Sequence, residues 1–234
     1  MEIFYAPDIN GNTYTLDEKE SRHIIRVLRM TKGQDVKLID GKGNLFTGII
    51  ASPDQNKCIV EITGKIMDFE KRNYRLHIAI SPLKNPERFE WFIEKSVEIG
   101  IDEITPIICR NTEKPGIKAE RINNLIISAM KQSLTASKTT LNEPVNFKDF
   151  ISGHSEGIRI IAHCEKSLKR MGIAEVYQKN KDAIILIGPE GDFSKDEIDY
   201  AVGNDYLPVH LGKSRLRTET AGIAACHSIY FLNQ

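Results

Sequence analysis

Hydrophobic positions along the chain fall into two regimes. In the first, Val36–Ile39, Leu45–Ala51 and Cys58–Ile62 are short apolar runs. They are separated by Asp40-Gly41-Lys42-Gly43-Asn44 and Ser52-Pro53-Asp54-Gln55-Asn56, stretches built from turn-forming residues. With a single helix among them, residues 1–70 predict a small β-barrel. The stretch from Met67 to Tyr74 is mostly charged and polar and is the expected linker.

Beyond the linker, apolar strands alternate with helical spacing. Strands are expected at Leu76–Ile80, Ile104–Cys109, Ile158–Ala162, Ala183–Ile187 and Pro208–Leu211. Between Pro86 and Ile99, Phe89, Phe92, Ile93 and Val97 recur as on one helix face. Further helices are expected from Lys118 to about Ser137, over Ser194–Val202 and over Thr218–Leu232. Alternation of this kind predicts an α/β domain over 71–234 with a mainly parallel sheet. Uninterrupted apolar strands such as AIILI fit a sheet covered on both faces. Ligands of such sheets sit beyond the carboxyl ends of the strands.

Charge changes this picture little. The chain has 32 basic and 32 acidic residues, so any affinity for nucleic acid must be local. Cys58, Cys109, Cys164 and Cys226 are widely spaced, which argues against a zinc site or disulfide framework and predicts buried free thiols in a reducing compartment. The N-terminus lacks the pattern of a signal peptide, and no stretch has the roughly 20 apolar residues of a membrane span, so a cytoplasmic protein is expected. No GxGxxG follows a strand, and no HExxH or GxSxG is present. Gly212-Lys213-Ser214 resembles the end of a P-loop, but Leu207 stands where that motif needs glycine. The six histidines are scattered, and no metal site is expected.

Three segments carry candidate chemistry. Ile187-Gly188-Pro189-Glu190-Gly191-Asp192-Phe193-Ser194 leaves a strand and enters a helix. Its glycines permit close backbone approach, and Ser194 and Glu197 have capping-box spacing. Leu211-Gly212-Lys213-Ser214-Arg215-Leu216-Arg217-Thr218-Glu219 again joins strand to helix. Thr218 is the expected cap, and the arginines just before it suit an anionic group. In Ser21–Arg29, helical spacing puts Arg22, Arg26 and Arg29 on one face, with Ile24, Ile25, Val27 and Leu28 docking the other. Such a stripe suits RNA phosphates.

Taken in order, HIIRVLRMTKG (23–33), KSVEIGIDEITPI (95–107), IGPEGDFS (187–194) and LRTETAG (216–222) resemble the ribosomal RNA small subunit methyltransferase E family of the SPOUT superfamily over nearly the whole chain. The resemblance implies a PUA-like N-terminal barrel over 1–70 and a C-terminal SPOUT domain over 71–234 with a deep trefoil knot. It also implies a homodimer, S-adenosylmethionine as methyl donor, and N3 of a uridine in 16S rRNA, free or in the small ribosomal subunit, as acceptor. The cofactor-binding residues it implies are Ile187, Gly188, Pro189, Glu190, Gly191, Leu211, Gly212, Leu216, Arg217 and Thr218. Arg217 is assigned to stabilise the anion that uracil becomes on losing its N3 proton, and Glu219 is the second candidate, as general base. Arg22, Arg26 and Arg29 are assigned to RNA. Gln132-Ser133-Leu134-Thr135 departs from the family's middle motif by lacking Gly and Arg, so an RNA contact there is either lost or supplied by Lys131 or Lys138. Two other readings are a SPOUT enzyme acting on a transfer RNA base or a ribose 2′-hydroxyl, and a non-catalytic RNA-binding or ribosome-assembly protein.

Overall fold

The computed structural model describes residues 3–165 and 167–234. The chain divides into two compact units, one of residues 1–71 with 127–138, the other of 72–126 with 139–234.

The first unit opens with β1 (Ile3–Tyr5), β2 (Thr13–Thr15) and α1 (Glu18–Arg22), followed directly by a π-helical turn over His23–Val27. Strands β3 (Asp35–Ile39), β4 (Leu45–Ser52) and β5 (Ile59–Ile66) complete it. The strands order β1-β3-β4-β5-β2, with β1 parallel to β3 and the other pairs antiparallel. The sheet curls around Phe4, Leu16, Ile24, Leu38, Ile50 and Val60, all buried. Buried Ser21 ties the helix to the sheet. Its hydroxyl donates to Leu16 O at 3.1 Å and accepts from the Cys58 amide at 2.9 Å. Residues 127–138 join this unit through named bonds. Lys131 Nζ lies 2.6 and 2.8 Å from the two Glu20 carboxylate oxygens, and Gly43 N donates to Ala136 O at 3.0 Å.

The second unit runs β6 (Leu76–Ile80), α2 (Pro86–Ile99), β7 (Glu103–Ile108), α3 (Ala119–Gln132), β8 (Thr140–Leu141), β9 (Val145–Asn146), α4 (Phe147–Gly153) and β10 (Ile158–Ala162). It continues with β11 (Met171–Gly172), α5 (Ile173–Val176), β12 (Ala183–Ile187), α6 (Lys195–Gly203), β13 (Leu207–His210) and α7 (Thr218–Leu232). The C-terminal turn of α3 clusters with the first unit. The sheet is parallel throughout, ordered β11-β13-β10-β12-β6-β7-β8, with β9 also on β7. Every residue of β6 and β12 is buried, as the apolar sequence of β12 requires; in β6 the one polar residue, His77, is satisfied by Thr105 Oγ1 at 2.7 Å. One face is covered by α4 and α6, whose Phe150, Ile151, Ile198 and Ala201 pack with Ile161, Ile184 and Leu186. On the other, α7 packs against α2, β6 and β12. That approach is close because Gly222 has no side chain: a Cβ there would lie 2.5 Å from the Phe92 ring.

Away from the strand ends, the structure departs from the sequence reading in four places. The α-helix ends at Arg22, so Arg29 lies outside any helix with φ +54°, and the three arginines do not share one helical face. The wider π turn also throws Val27 outward to 66% exposure instead of docking it. The α3 helix stops at Gln132, and Leu134 takes φ +59°. Cys58, Cys109 and Cys226 are buried as small core residues, but Cys164 is exposed. Among the described residues no helix is long and apolar enough to cross a membrane, and no group of three potential metal ligands gathers.

Candidate functional site

The strand order places the ends of β10, β12 and β13 side by side, and the bends that follow them meet in a cleft of about 390 Å³. The first wall is the bend after β12. Ile187, Gly188, Pro189, Glu190 and Asp192 line the cleft. The bend is held firmly. Ile187 O accepts from Ser81 N at 3.0 Å, Asp192 N donates to Pro189 O at 2.9 Å, and Glu190 Oε1 accepts from Lys84 N at 3.1 Å. A Cβ on Gly188 would press on Phe193 at 3.1 Å, so glycine keeps this turn tight. The predicted capping box is present. Ser194 N and Oγ each donate to Glu197 Oε2 at 2.8 Å, while Glu197 N donates back to Ser194 Oγ at 3.4 Å.

The second wall is the bend before α7. Arg215, Leu216, Arg217, Thr218, Glu219 and Ala221 line the cleft. Thr218 is not the cap, as expected from the sequence, but the first helical residue. Extended Arg217 occupies the cap position, and its carbonyl accepts from Ala221 N at 2.7 Å. Three residues expected at the cofactor lie outside the lining. Gly191 turns its carbonyl to Asn111 Nδ2 at 3.4 Å, and Leu211 and Gly212 sit where the chain leaves β13, Gly212 at φ +121°.

The third wall contains residues that the sequence reading missed. Ala162 and Cys164 come from the end of β10, and Arg88 from the first turn of α2. Asp192 joins two walls, since its Oδ2 accepts from Cys164 N at 2.8 Å. Between Ala162 and Cys164, His163 is buried with neither ring nitrogen bonded, and burial pushes its pKa below the ordinary histidine value. Arg88 Nε stands 3.9 Å from Glu219 Oε1. Glu219 is almost fully buried, and its Oε2 has no hydrogen-bond partner. Three guanidinium groups (Arg88, Arg215, Arg217) thus face three carboxylates (Glu190, Asp192, Glu219) around one cleft. Arg88 sits in the first turn of the helix that follows a strand end, where parallel sheets bind ligands, but the sequence carries no further sign of that place.

In the first unit, Arg22, Arg26 and Arg29 are all exposed. Arg22 is paired with Glu18, and Arg26 Nε donates to Gln55 Oε1 at 2.7 Å. Lys131 is committed to Glu20 and does not project freely.

Residues 70–230 match the RNA methyltransferase domain family, and residues 16–63 match the RNA methyltransferase PUA domain family. A crystal structure of a probable rRNA-methyltransferase from Porphyromonas gingivalis superposes with a TM-score of 0.94 at 41% identity, covering 100% of this chain and 98% of that one. The ribosomal RNA small subunit methyltransferase E of Neisseria gonorrhoeae, solved bound to S-adenosyl methionine, gives 0.88 at 25% identity over 99% and 98% of the two chains. The namesake enzyme of Mesomycoplasma hyopneumoniae is 31% identical over 229 residues, 95% of this chain and 96% of the relative. The chain belongs to the ribosomal RNA small subunit methyltransferase E family, and with it to the S-adenosylmethionine-dependent enzymes that methylate ribosomal RNA.

Proposed function

We propose that this protein methylates N3 of a uridine in 16S rRNA, in the cytoplasm and as a homodimer, and that the last strands of its second unit thread a deep trefoil knot. The observation that carries the catalytic reading is the meeting of both glycine-containing bends in one cleft. A cleft of about 390 Å³ is within the range of roughly 300–1,000 Å³ found for small-molecule sites. Its walls are small at Gly188, Ala162 and Ala221, which lets backbone come close to a ligand. The partnerless Glu219 Oε2, in a side chain bordering the cleft, is an acceptor that the free protein leaves unmet. These features fit S-adenosylmethionine. Ile187–Gly191 and Leu211–Thr218 are the segments proposed to hold it, with Gly191, Leu211 and Gly212 shaping the bends from behind the lining.

When bound, S-adenosylmethionine supplies an electrophilic methyl group. The rest of the chemistry falls to the chain. The two bends hold donor and acceptor in line at short range, which is where most of the acceleration of such a displacement arises. Uracil is a poor nucleophile until N3 loses its proton. Arg217, in the lining of the cleft, stabilises the negative charge that spreads to the carbonyl oxygens. Glu219 accepts the proton. The target base must leave its stack for N3 to reach the cleft. Exposed Arg22, Arg26 and Arg29 dock phosphates of the RNA on the PUA-like unit.

Small ribosomal subunits incubated with the enzyme and methyl-labelled S-adenosylmethionine test the reading. The label is expected in 3-methyluridine of 16S rRNA, and Arg217→Ala should slow single-turnover methylation at least a hundredfold. Label in a transfer RNA base or a ribose 2′-hydroxyl overturns the acceptor assignment. An unchanged Arg217→Ala rate overturns that residue's role.

A further inference from the structure

We propose that Arg88 and Glu219 together read the Watson–Crick edge of the target base and select uracil over cytosine. This rests on the reading that the acceptor is uracil N3. Both side chains border the same cleft, Arg88 from the first turn of α2 and Glu219 from the first turn of α7. The Arg88 side chain is 44% exposed and that of Glu219 only 7%, and no hydrogen bond joins them at 3.9 Å.

That geometry is wasteful for a structural ion pair. A carboxylate taken out of water needs donors for its lone pairs, and a guanidinium this exposed gains little from a contact this long. Glu219 instead carries unused acceptor capacity, since Oε2 is sealed from water without a partner. The last torsion of a glutamate is soft, so either oxygen can turn towards a ligand.

A donor standing beside an acceptor is the complement of half a pyrimidine edge. Uracil presents N3–H, a donor, flanked by two carbonyl acceptors. Cytosine presents a bare N3 lone pair between one carbonyl and an amino group. With the Glu219 carboxylate at N3 and the Arg88 fork on the adjacent carbonyl, uracil satisfies both side chains. Cytosine would set its lone pair against the carboxylate and leave a buried charge unpaired. Mispairing of this kind is how polar sites reject close analogues. The same placement puts a proton acceptor on the N–H that must ionise.

Binding can be read without turnover, by fluorescence anisotropy of labelled decauridylate and decacytidylate on the full-length protein saturated with S-adenosylhomocysteine. The wild type is expected to prefer the uridylate at least tenfold. Glu219→Gln, which offers an amide N–H as well as an acceptor, should bring the two within threefold. Arg88→Lys keeps the charge but loses the fork, and should weaken uridylate binding at least fivefold while calorimetry finds S-adenosylmethionine affinity within twofold of wild type. A wild type without preference, or a folded Glu219→Gln that retains it, overturns the proposal. If Glu219→Gln melts, Arg88→Lys decides, and unchanged uridylate binding overturns it. Nucleoside analysis separates the two levels. If the wild-type product is 3-methyluridine but the variants behave as wild type, only the edge reading fails. If the product is another nucleoside, the acceptor assignment fails first.

Discussion

Replacing Gly222 with alanine should destabilise the second unit, whereas the same replacement at Gly203 should not. In a helix interior alanine is favoured over glycine by about 1 kcal/mol. At Gly222 that gain meets a steric cost. The new methyl would lie 2.5 and 2.7 Å from two Phe92 ring carbons and 3.1 Å from Ile80 Cδ1, against an optimum of about 3.5–4.0 Å for carbon pairs. The ring would have to retreat by about 1 Å, yet Phe92 is fully buried and packs on Phe89 with ring centroids 6.1 Å apart. Overpacking a tight core typically costs about 1–3 kcal/mol. With the Phe92 contact at the tight end of that range, about 2–3 kcal/mol, less the gain of about 1 kcal/mol, the net loss should be about 1–2 kcal/mol. Gly203 ends α6, and a methyl added there would meet nothing within 4 Å. At that position alanine should add about 0.5 kcal/mol by restricting the unfolded chain. Urea unfolding followed by circular dichroism would give both values. Since α7 carries Thr218, Glu219 and Ala221 to the cleft, Gly222→Ala should also weaken S-adenosylmethionine binding severalfold. A Gly222→Ala protein as stable as wild type, or more so, would refute the packing argument.

Three further outcomes follow from the charged groups. Burial pushes His77 down to about 4. Because its folded pKa lies below its unfolded value, its contribution is full above pH 6.5 and lost as pH falls towards 4, a loss of about 3 kcal/mol. Urea midpoints should drop between pH 7 and 5 in the wild type and less steeply in His77→Gln, and parallel slopes would count against this. Lys131→Met leaves the Glu20 carboxylate, 9% exposed, without its cation. The expected loss is about 2–3 kcal/mol by thermal denaturation, mostly recovered when Glu20→Gln is added. Replacing Arg22 and Arg26 together should reduce the log–log salt slope of RNA binding by about 1.5 with cofactor affinity unchanged, and an equal loss of cofactor affinity would contradict the assignment.

Legibility of the sequence follows how local each signal is. Ala183–Ile187 announces a buried strand because it is apolar throughout, Leu76–Ile80 because His77 alone interrupts its apolar run, and Ser194 with Glu197 marks a helix start within four residues. Two-residue strands such as Thr140–Leu141 and Met171–Gly172 carry no period to detect. The π turn at His23–Val27 is silent for a different reason: one extra residue per turn alters which side chains face outward without altering composition, so helical spacing puts Val27 on the wrong side. At the cleft, each bend is legible by itself. Their meeting depends on β10 lying between β12 and β13, a non-local pairing that also brings in Ala162 and Cys164. Arg88 reads in sequence as one more charge on a wet helix, and only its 3.9 Å approach to Glu219 singles it out.

The return of residues 127–138 to the first unit has a practical meaning. A fragment cut after residue 71 would lack the Lys131 cation that neutralises Glu20 and the backbone bonds from Gly43 to Ala136 and from Lys138 to Gly41. Such a piece should expose a naked carboxylate and an unfinished seam. The first unit is therefore not a cassette that can be excised or grafted at a single joint; transplanting it requires two crossovers, with the distant dozen residues carried along.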